Sequence, residues 1–117
     1  MPYVDGYLLP VPAKNVKAYR AMSRKAGKIW MEYGALQYRE CVSDDIDVKG
    51  VAPFSRTMKL KPGEKLVFSW IVYKSRAQRD RINAKVIADP RLKCDKSKMP
   101  FDPKRMMFGG FNVLVNL

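Results

Sequence analysis

Asp5 is the residue of this chain best suited to acid–base chemistry, because it lies within an apolar segment that is typical of a β-strand. Its neighbours are Val4 and Gly6, and tyrosines lie two positions away on each side. Burial in such surroundings raises a carboxyl pKa, which suits a general base that takes a proton from a phenol or an enol. The favoured alternative is a structural carboxylate, paired with strand-end amides or with Arg79 or Arg81 turning inward.

Large aromatic side chains could form the walls of a site for a planar substrate. Tyr7, Trp70 and Phe108 are the candidates for such a pocket, and Phe68 is a further pocket or interface residue. The alternative, that these side chains only form the core of a subunit interface, is favoured.

Polar groups and thiols add few candidates. Glu40 and Asn112 would either orient a ligand or be satisfied polar groups at a strand edge, and the sequence favours neither. Cys41 and Cys94 have no metal-like spacing, and we expect them to be reduced and inert. We therefore expect no metal site and no cofactor.

The charge balance and the absence of histidine limit the classes of function that this chain can have. The 117 residues include 23 Lys and Arg against 11 Asp and Glu, a net charge of +12, and no histidine. A positive charge this high makes an anionic partner, such as nucleic acid, a candidate. The missing imidazole excludes Ser-His-Asp triads, histidine-bound zinc and histidine-ligated haem.

Residues 15–33 have the periodicity of an amphipathic helix, with Gly34 placed to follow its end. Its apolar face consists of Val16, Tyr19, Met22, Ala26, Ile29, Trp30 and Tyr33. Its opposite face carries the basic stripe, Lys17, Arg20, Arg24 and Lys28. A second helix, RAQRDRINAKVIA, is predicted after Ser75 as N-cap and ends at Asp89-Pro90.

Four segments have strand patterns, and they alternate with the helices. The strands are predicted at 3–11, 35–42, 67–73 and 106–116, the last with a kink or bulge at its Gly-Gly pair. Residues 43–53 and 91–105 are predicted loops, and FSRTMKL with Pro62-Gly63 a short hairpin arm. The order strand, helix, strand, strand, helix, strand predicts one α+β domain over residues 1–117 with the ferredoxin-like βαββαβ fold.

In this fold both helices cover one face of the four-stranded antiparallel sheet. The registers that keep Asp5 and Asn112 away from the dry helix side are the predicted ones. Val4, Leu8, Val67 and Ile71 then face the helices. The open face receives Tyr3, Asp5, Tyr7, Leu9, Phe68, Trp70, Val72, Met106, Phe108, Asn112 and Leu114. An apolar surface of this size is expected to be covered.

The cover is predicted to be a second copy of the sheet in a homodimer, with single-stranded RNA stacked on the aromatics as the less favoured alternative. Segments 3–11, 66–73 and 106–116 contain no Lys or Arg, whereas an RNA-binding sheet needs cations near the phosphates. The basic stripe is expected to be a solvated helix face, and its functional alternative is nonspecific binding of RNA or an acidic partner.

Four blocks of the sequence resemble one family across nearly the whole chain. They are YVDGYLLPVP, AGKIWMEYGALQYRECVSDD, VFSWIVYKSRAQRDRINAKVIADPRLK and MPFDPKRMMFGGF. Together they are similar to the YbaA-like family of uncharacterised bacterial proteins, with Pro103 at a position where the pattern favours glycine. The resemblance implies the dimeric α/β-barrel superfamily, which includes cofactor-free monooxygenases, haem-degrading enzymes and small-ligand binders.

Three functions follow as expectations. The first is a small cytoplasmic homodimer that binds a small, aromatic or phenolic molecule between its two sheets, with a cofactor-free oxygenase as the sharper version. The second is an RNA-binding accessory protein, and the third is a purely structural or regulatory dimer. The N-terminal segment has no basic region typical of a secretion signal, and no apolar run approaches the length of a membrane span.

Overall fold

Two long central strands form the framework of the sheet. The computed structural model describes residues 1–93 and 96–117. Strands β1 (Tyr3–Pro12) and β3 (Glu64–Tyr73) pair antiparallel over their full length, from Tyr3 opposite Tyr73 to Pro12 opposite Glu64. The edge strands β2 (Gln37–Val42) and β4 (Met107–Asn112) pair with β3 and β1, which gives the order β2-β3-β1-β4. This confirms the predicted four-stranded antiparallel ferredoxin-like sheet.

The first long helix begins and ends where the sequence predicts. Helix α1 (Val16–Glu32) buries or half-buries every residue of its predicted apolar face, and the basic stripe is exposed. Gly34 has a φ of +112°, and the amides of Gly34 and Ala35 donate to the carbonyls of Met31 and Trp30. This pair of bonds satisfies the last carbonyls of the helix and requires a residue that tolerates positive φ.

The second long helix is also confirmed. Helix α3 (Arg76–Ala88) begins after Ser75, whose Oγ accepts from the Gln78 amide at 3.1 Å, and ends before Asp89 and Pro90. Both long helices lie on one face of the sheet, so the architecture is α+β with two layers.

Two further predictions are wrong, one for the hairpin arm before β3 and one for the last strand. The segment expected to form a hairpin arm contains instead a short helix, α2 (Phe54–Thr57), because the Asp47 carboxylate accepts from both the amide and the hydroxyl of Ser55 at 3.1 and 2.7 Å. The last strand ends at Asn112, and its pairing with β1 runs without a bulge through Gly109 and Gly110.

Two apolar clusters form the core between the sheet and the helices. One contains Leu9, Val11, Tyr19 and Val67. The other contains Ile29, Ala35, Ile71, Tyr73, Ile82 and Val86. Tyr7 packs against both clusters, and the candidate site lies beside it.

Candidate functional site

A cavity of about 230 Å³ lies between the sheet and α1. Its walls combine aromatic with aliphatic and methionine side chains, and the polar lining includes two serines and one carboxylate. The aromatic side chains are Tyr7, Tyr19, Trp30, Tyr38 and Phe101, and the non-aromatic polar ones are Ser23, Glu40 and Ser69. A concave, largely apolar space with a few converging polar groups is the usual form of a small-molecule site.

The Glu40 carboxylate is the polar centre of this cavity. Its Oε1 accepts from the Tyr19 hydroxyl at 2.7 Å, and its Oε2 accepts from the Tyr38 hydroxyl at 2.6 Å. Tyr38 and Glu40 are two residues apart on β2 and so lie on the same face, while Tyr19 reaches them from α1. The two phenols therefore fix the orientation of the carboxylate.

Both phenols keep their protons over the ordinary pH range. Burial, and then the negative charge of Glu40, raise the pKa of Tyr19 and of Tyr38 well above the ordinary tyrosine value. Burial also raises the pKa of Tyr7, and the charge of Asp5 adds to that effect. The tyrosines therefore serve as neutral hydrogen-bonding groups, not as phenolates.

Gly27 allows Tyr38 to lie beneath α1. A Cβ at position 27 would come within 2.6 Å of the Tyr38 ring, so the helix can approach β2 this closely only with glycine there. The Tyr38 ring is also tilted against Trp30, with the ring centroids 6.0 Å apart. This close approach sets one wall of the cavity.

A second polar cluster lies on the same face of the sheet, around Asp5. The Asp5 side chain is fully buried, and its Oδ1 lies 3.1 Å from Arg79 Nε. Arg79 also donates to the hydroxyl of Tyr3 at 3.2 Å. Gly110, opposite Asp5 on β4, has no side chain to fill the space that Tyr3 and Arg79 occupy.

Asn83 joins this cluster to the wall of the cavity. Its Oδ1 accepts from Trp30 Nε1 and from the Tyr73 hydroxyl, both at 3.0 Å, and its Nδ2 donates to Asp5 at 3.4 Å. Burial raises the pKa of Asp5, and the positive charge of Arg79 opposes that effect. Asp5 is thus part of a buried network behind the cavity and does not line the cavity itself.

The predicted registers of β1 and β4 are wrong. Asp5 and Tyr7 face the helices, and Phe108, opposite Tyr7, lies on the same side with its ring 4.9 Å from the Tyr7 ring. Asn112, opposite Tyr3, also shares this face. The prediction keeps a buried carboxylate away from the helices, whereas on that side the Arg79 guanidinium lies 3.1 Å from Asp5 and Asn83 donates a hydrogen bond to it.

The predicted register of β3 is confirmed, so the proposed aromatic wall is divided. Trp70 and Phe68 lie on the open face, where Trp70 Nε1 donates to Gln37 at 2.7 Å. Tyr7 and Phe108 lie on the other side of the sheet, and these four residues do not form one site. The cavity described above is accordingly on the helix side of the sheet.

Several cavity residues were missed in the sequence. The sequence predicts Tyr19 and Trp30 only as part of the apolar face of α1, and Tyr38 only as part of an alternating strand. The available signal was the alternation of Tyr38 and Glu40 on β2, which places a carboxylate beside an aromatic ring on the helix side. The sequence contains nothing that shows Gly27 opposite Tyr38.

The basic stripe lies on the solvent-exposed side of α1. Lys17, Arg20, Arg24 and Lys28 are exposed, so a nucleic-acid partner stays a prediction that rests on charge. Cys41 is exposed, and Cys94 lies outside the described residues. Within residues 1–93 and 96–117, no group of three acidic, His or Cys side chains could hold a metal ion, and none of the helices could cross a membrane.

The fold and its relatives define the class of the protein. It is an α+β protein of the ferredoxin-like type, and the chain belongs to the family described as protein of unknown function DUF1428, which matches residues 2–103. It is 43% identical over 116 residues to the uncharacterized protein YbaA of Escherichia coli K12, with 99% of each chain covered.

Solved structures agree with this fold. A dimeric ferredoxin-like protein from an uncultured marine organism superposes with a TM-score of 0.55 at 11% identity, covering 100% of both chains. A NIPSNAP family protein from Agrobacterium tumefaciens C58 gives a TM-score of 0.52 at 16% identity, covering 96% of this chain and 92% of that one. At these identities the likeness concerns the fold alone.

Proposed function

We propose that the protein binds a small, planar, largely apolar molecule in the cavity between the sheet and α1. The observation that carries the proposal is the Glu40 carboxylate, held by two tyrosines inside an aromatic cavity. An apolar cavity of roughly 150 Å³ can hold benzene, so a space of about 230 Å³ is sufficient for one ring with a short substituent.

Binding is better supported than the oxygenase reaction considered from the sequence. The oxygenase hypothesis needs Asp5 as the general base, but Asp5 is paired with Arg79 and does not line the cavity. Glu40 is the carboxylate that a bound molecule would meet. The proposal therefore concerns a binding site and assigns no reaction to it.

Binding of p-cresol to the Ala26→Leu variant tests the site. Ala26 lines the cavity, and the added carbons would fill part of it, so we expect at least about tenfold weaker binding from lost contact and volume. Isothermal titration calorimetry gives the affinity. Ala21→Leu, an exposed position on α1, is the matched control and is expected to bind like the parent protein. Equal binding by both variants, or no binding by the parent protein, would contradict the proposal.

We also propose that two copies associate through the open faces of their sheets. This face carries large exposed side chains, with Phe68 49%, Met107 57% and Phe111 61% exposed. The structural relative described as a dimeric ferredoxin-like protein supports a second copy as the cover. The scarcity of basic side chains on the central strands disfavours RNA there.

A charge at Phe111 is expected to break this dimer. Phe111→Glu would place a carboxylate in the interface. We expect it to raise the dimer dissociation constant by at least about 30-fold, the size of effect that follows from truncating a hot-spot residue. Sedimentation equilibrium measures the constant. Ile87→Glu, on the helix side and 83% exposed, is the control and is expected to leave the association unchanged. A parent protein that is monomeric at micromolar concentration would refute the dimer.

A further inference from the structure

We infer that the cavity selects a small organic cation, a protonated amine on an aromatic or apolar body, over neutral and anionic molecules of the same shape. The inference deepens the proposed function and rests on it. Among the described residues that line the cavity, Glu40 is the one charged side chain, and none is a lysine or arginine. In a chain with 23 basic residues this local reversal of charge is a specific feature of the site.

The aromatic walls favour a positive ligand. The faces of Tyr and Trp rings carry negative electrostatic potential and attract cations that come within about 6 Å of the ring centre. Five aromatic side chains line this cavity, and four of them form two close pairs. The Trp30 and Tyr38 centroids are 6.0 Å apart, and those of Tyr19 and Phe101 are 5.7 Å apart. A cation in this cavity would therefore lie among aromatic side chains and not among basic ones.

The hydrogen-bonding capacity of Glu40 also favours an N–H donor. A carboxylate offers about four acceptor sites, and each oxygen of Glu40 uses one of them for a tyrosine hydroxyl. The remaining acceptor sites suit a protonated amine, whose hydrogen bond to a carboxylate is stronger than that of an alcohol. An anionic ligand would instead meet the charge of Glu40 and find its nearest phenol protons already donated.

Arg20 is the basic residue that could weaken this effect. It lines a neighbouring groove that shares Tyr19, Ser23 and Glu40 with the cavity. None of the ion pairs recorded among the described residues joins Arg20 to Glu40, and Arg20 is exposed. Water therefore screens its charge, while Glu40 stays without a directly bound cation.

Three probes of nearly equal shape test the inference: benzylamine, benzyl alcohol and benzoate. We expect benzylamine to bind at least about tenfold more tightly than benzyl alcohol at neutral pH, because a hydrogen bond between charged groups is stronger than a neutral one. Benzoate should bind most weakly of the three. The net charge of +12 repels cations in general, so a preference for benzylamine would come from the site itself.

Glu40→Gln separates the carboxylate from the rings. In this variant the preference for benzylamine should fall to the roughly two- to fivefold that ring faces alone provide. Glu32→Gln makes the same change of charge at an exposed position on α1 outside the cavity lining, and we expect it to keep the full preference. Thermal unfolding of each variant confirms that it is folded before binding is compared.

The outcomes distinguish the inference from the proposed function. Equal affinity for benzylamine and benzyl alcohol, with p-cresol still bound, would overturn the charge selectivity and leave the binding site in place. Failure of all the probes to bind would overturn both. A preference for benzylamine that persists in full in Glu40→Gln would also refute the role assigned to the carboxylate.

Discussion

Replacing Arg79 with methionine is expected to lower the free energy of unfolding by about 3–5 kcal/mol, because it removes one partner of a buried ion pair. The Asp5 side chain is fully buried and lies 3.1 Å from Arg79, whose own side chain is 19% exposed. Methionine keeps much of the aliphatic length of arginine, so the loss is mainly one of charge and hydrogen bonding. Urea unfolding at pH 7 measures the effect.

The destabilisation by Arg79→Met should grow with pH. Burial raises the pKa of Asp5 above its ordinary value of 3.8, and Arg79 opposes this increase. Above pH 3.8, the ordinary pKa, Asp5 of the unfolded chain loses a proton that the folded protein still holds. The free energy of unfolding therefore falls as pH rises toward the pKa of Asp5 in the folded protein. Without Arg79 the folded-state pKa is higher still, and the fall is larger and extends to higher pH.

The comparison is made between parent and variant at each pH, because other groups titrate in the same range. Arg81→Met, an exposed position on the same helix, is the matched control and should change stability by no more than about 0.5 kcal/mol. Asp5→Asn combined with Arg79→Met should remove the added pH dependence. If Arg79→Met lowers the free energy of unfolding equally at pH 4 and pH 8, the effect of Arg79 does not act through the titration of Asp5.

The helices could be predicted well because their signals are local. The predicted limits 15–33 agree with Val16–Glu32 to within one residue, and Ser75 and Gly34 mark the helix ends as expected. Periodicity, an N-cap and a positive-φ glycine all act within a few residues of the chain. Nothing distant in the sequence has to be known for these assignments.

The faces of β1 and β4 could not be predicted because they depend on distant partners. One face of β1 carries both an acidic residue and large apolar residues. From the sequence alone, this face could be turned either to the helices or to the open side of the sheet. The decision depends on Arg79 and Asn83, and the Asn83–Asp5 hydrogen bond joins residues 78 positions apart. The register of β4 then followed the error in β1, because the two strands pair.

The cavity was missed for a related reason. It depends on how closely α1 approaches the sheet, and Gly27 determines that approach opposite Tyr38. In the sequence, Gly27 appears only as a weak position within a good helix. Its structural role becomes visible once α1 and β2 are placed against each other.

Gly27→Ala is expected to destabilise the protein by about 1–3 kcal/mol, although alanine normally favours a helix by about 0.5–1 kcal/mol over glycine. The new Cβ would lie 2.6 Å from the Tyr38 ring, closer than such atoms can approach. The ring cannot move away freely, because its hydroxyl is bound to Glu40 at 2.6 Å. Either α1 is displaced or this hydrogen bond is strained, and both changes would alter the cavity wall.

A double-mutant cycle with Tyr38→Leu isolates this effect. Leucine removes the ring that the new methyl group would meet, so Gly27→Ala in that background should be neutral or stabilising by up to about 1 kcal/mol. Urea unfolding of the four proteins gives the coupling energy directly. Equal destabilisation in both backgrounds would show that the cost arises elsewhere along α1. A reversal of sign would establish that the helix gives up intrinsic stability at position 27 to make room for the Tyr38 ring.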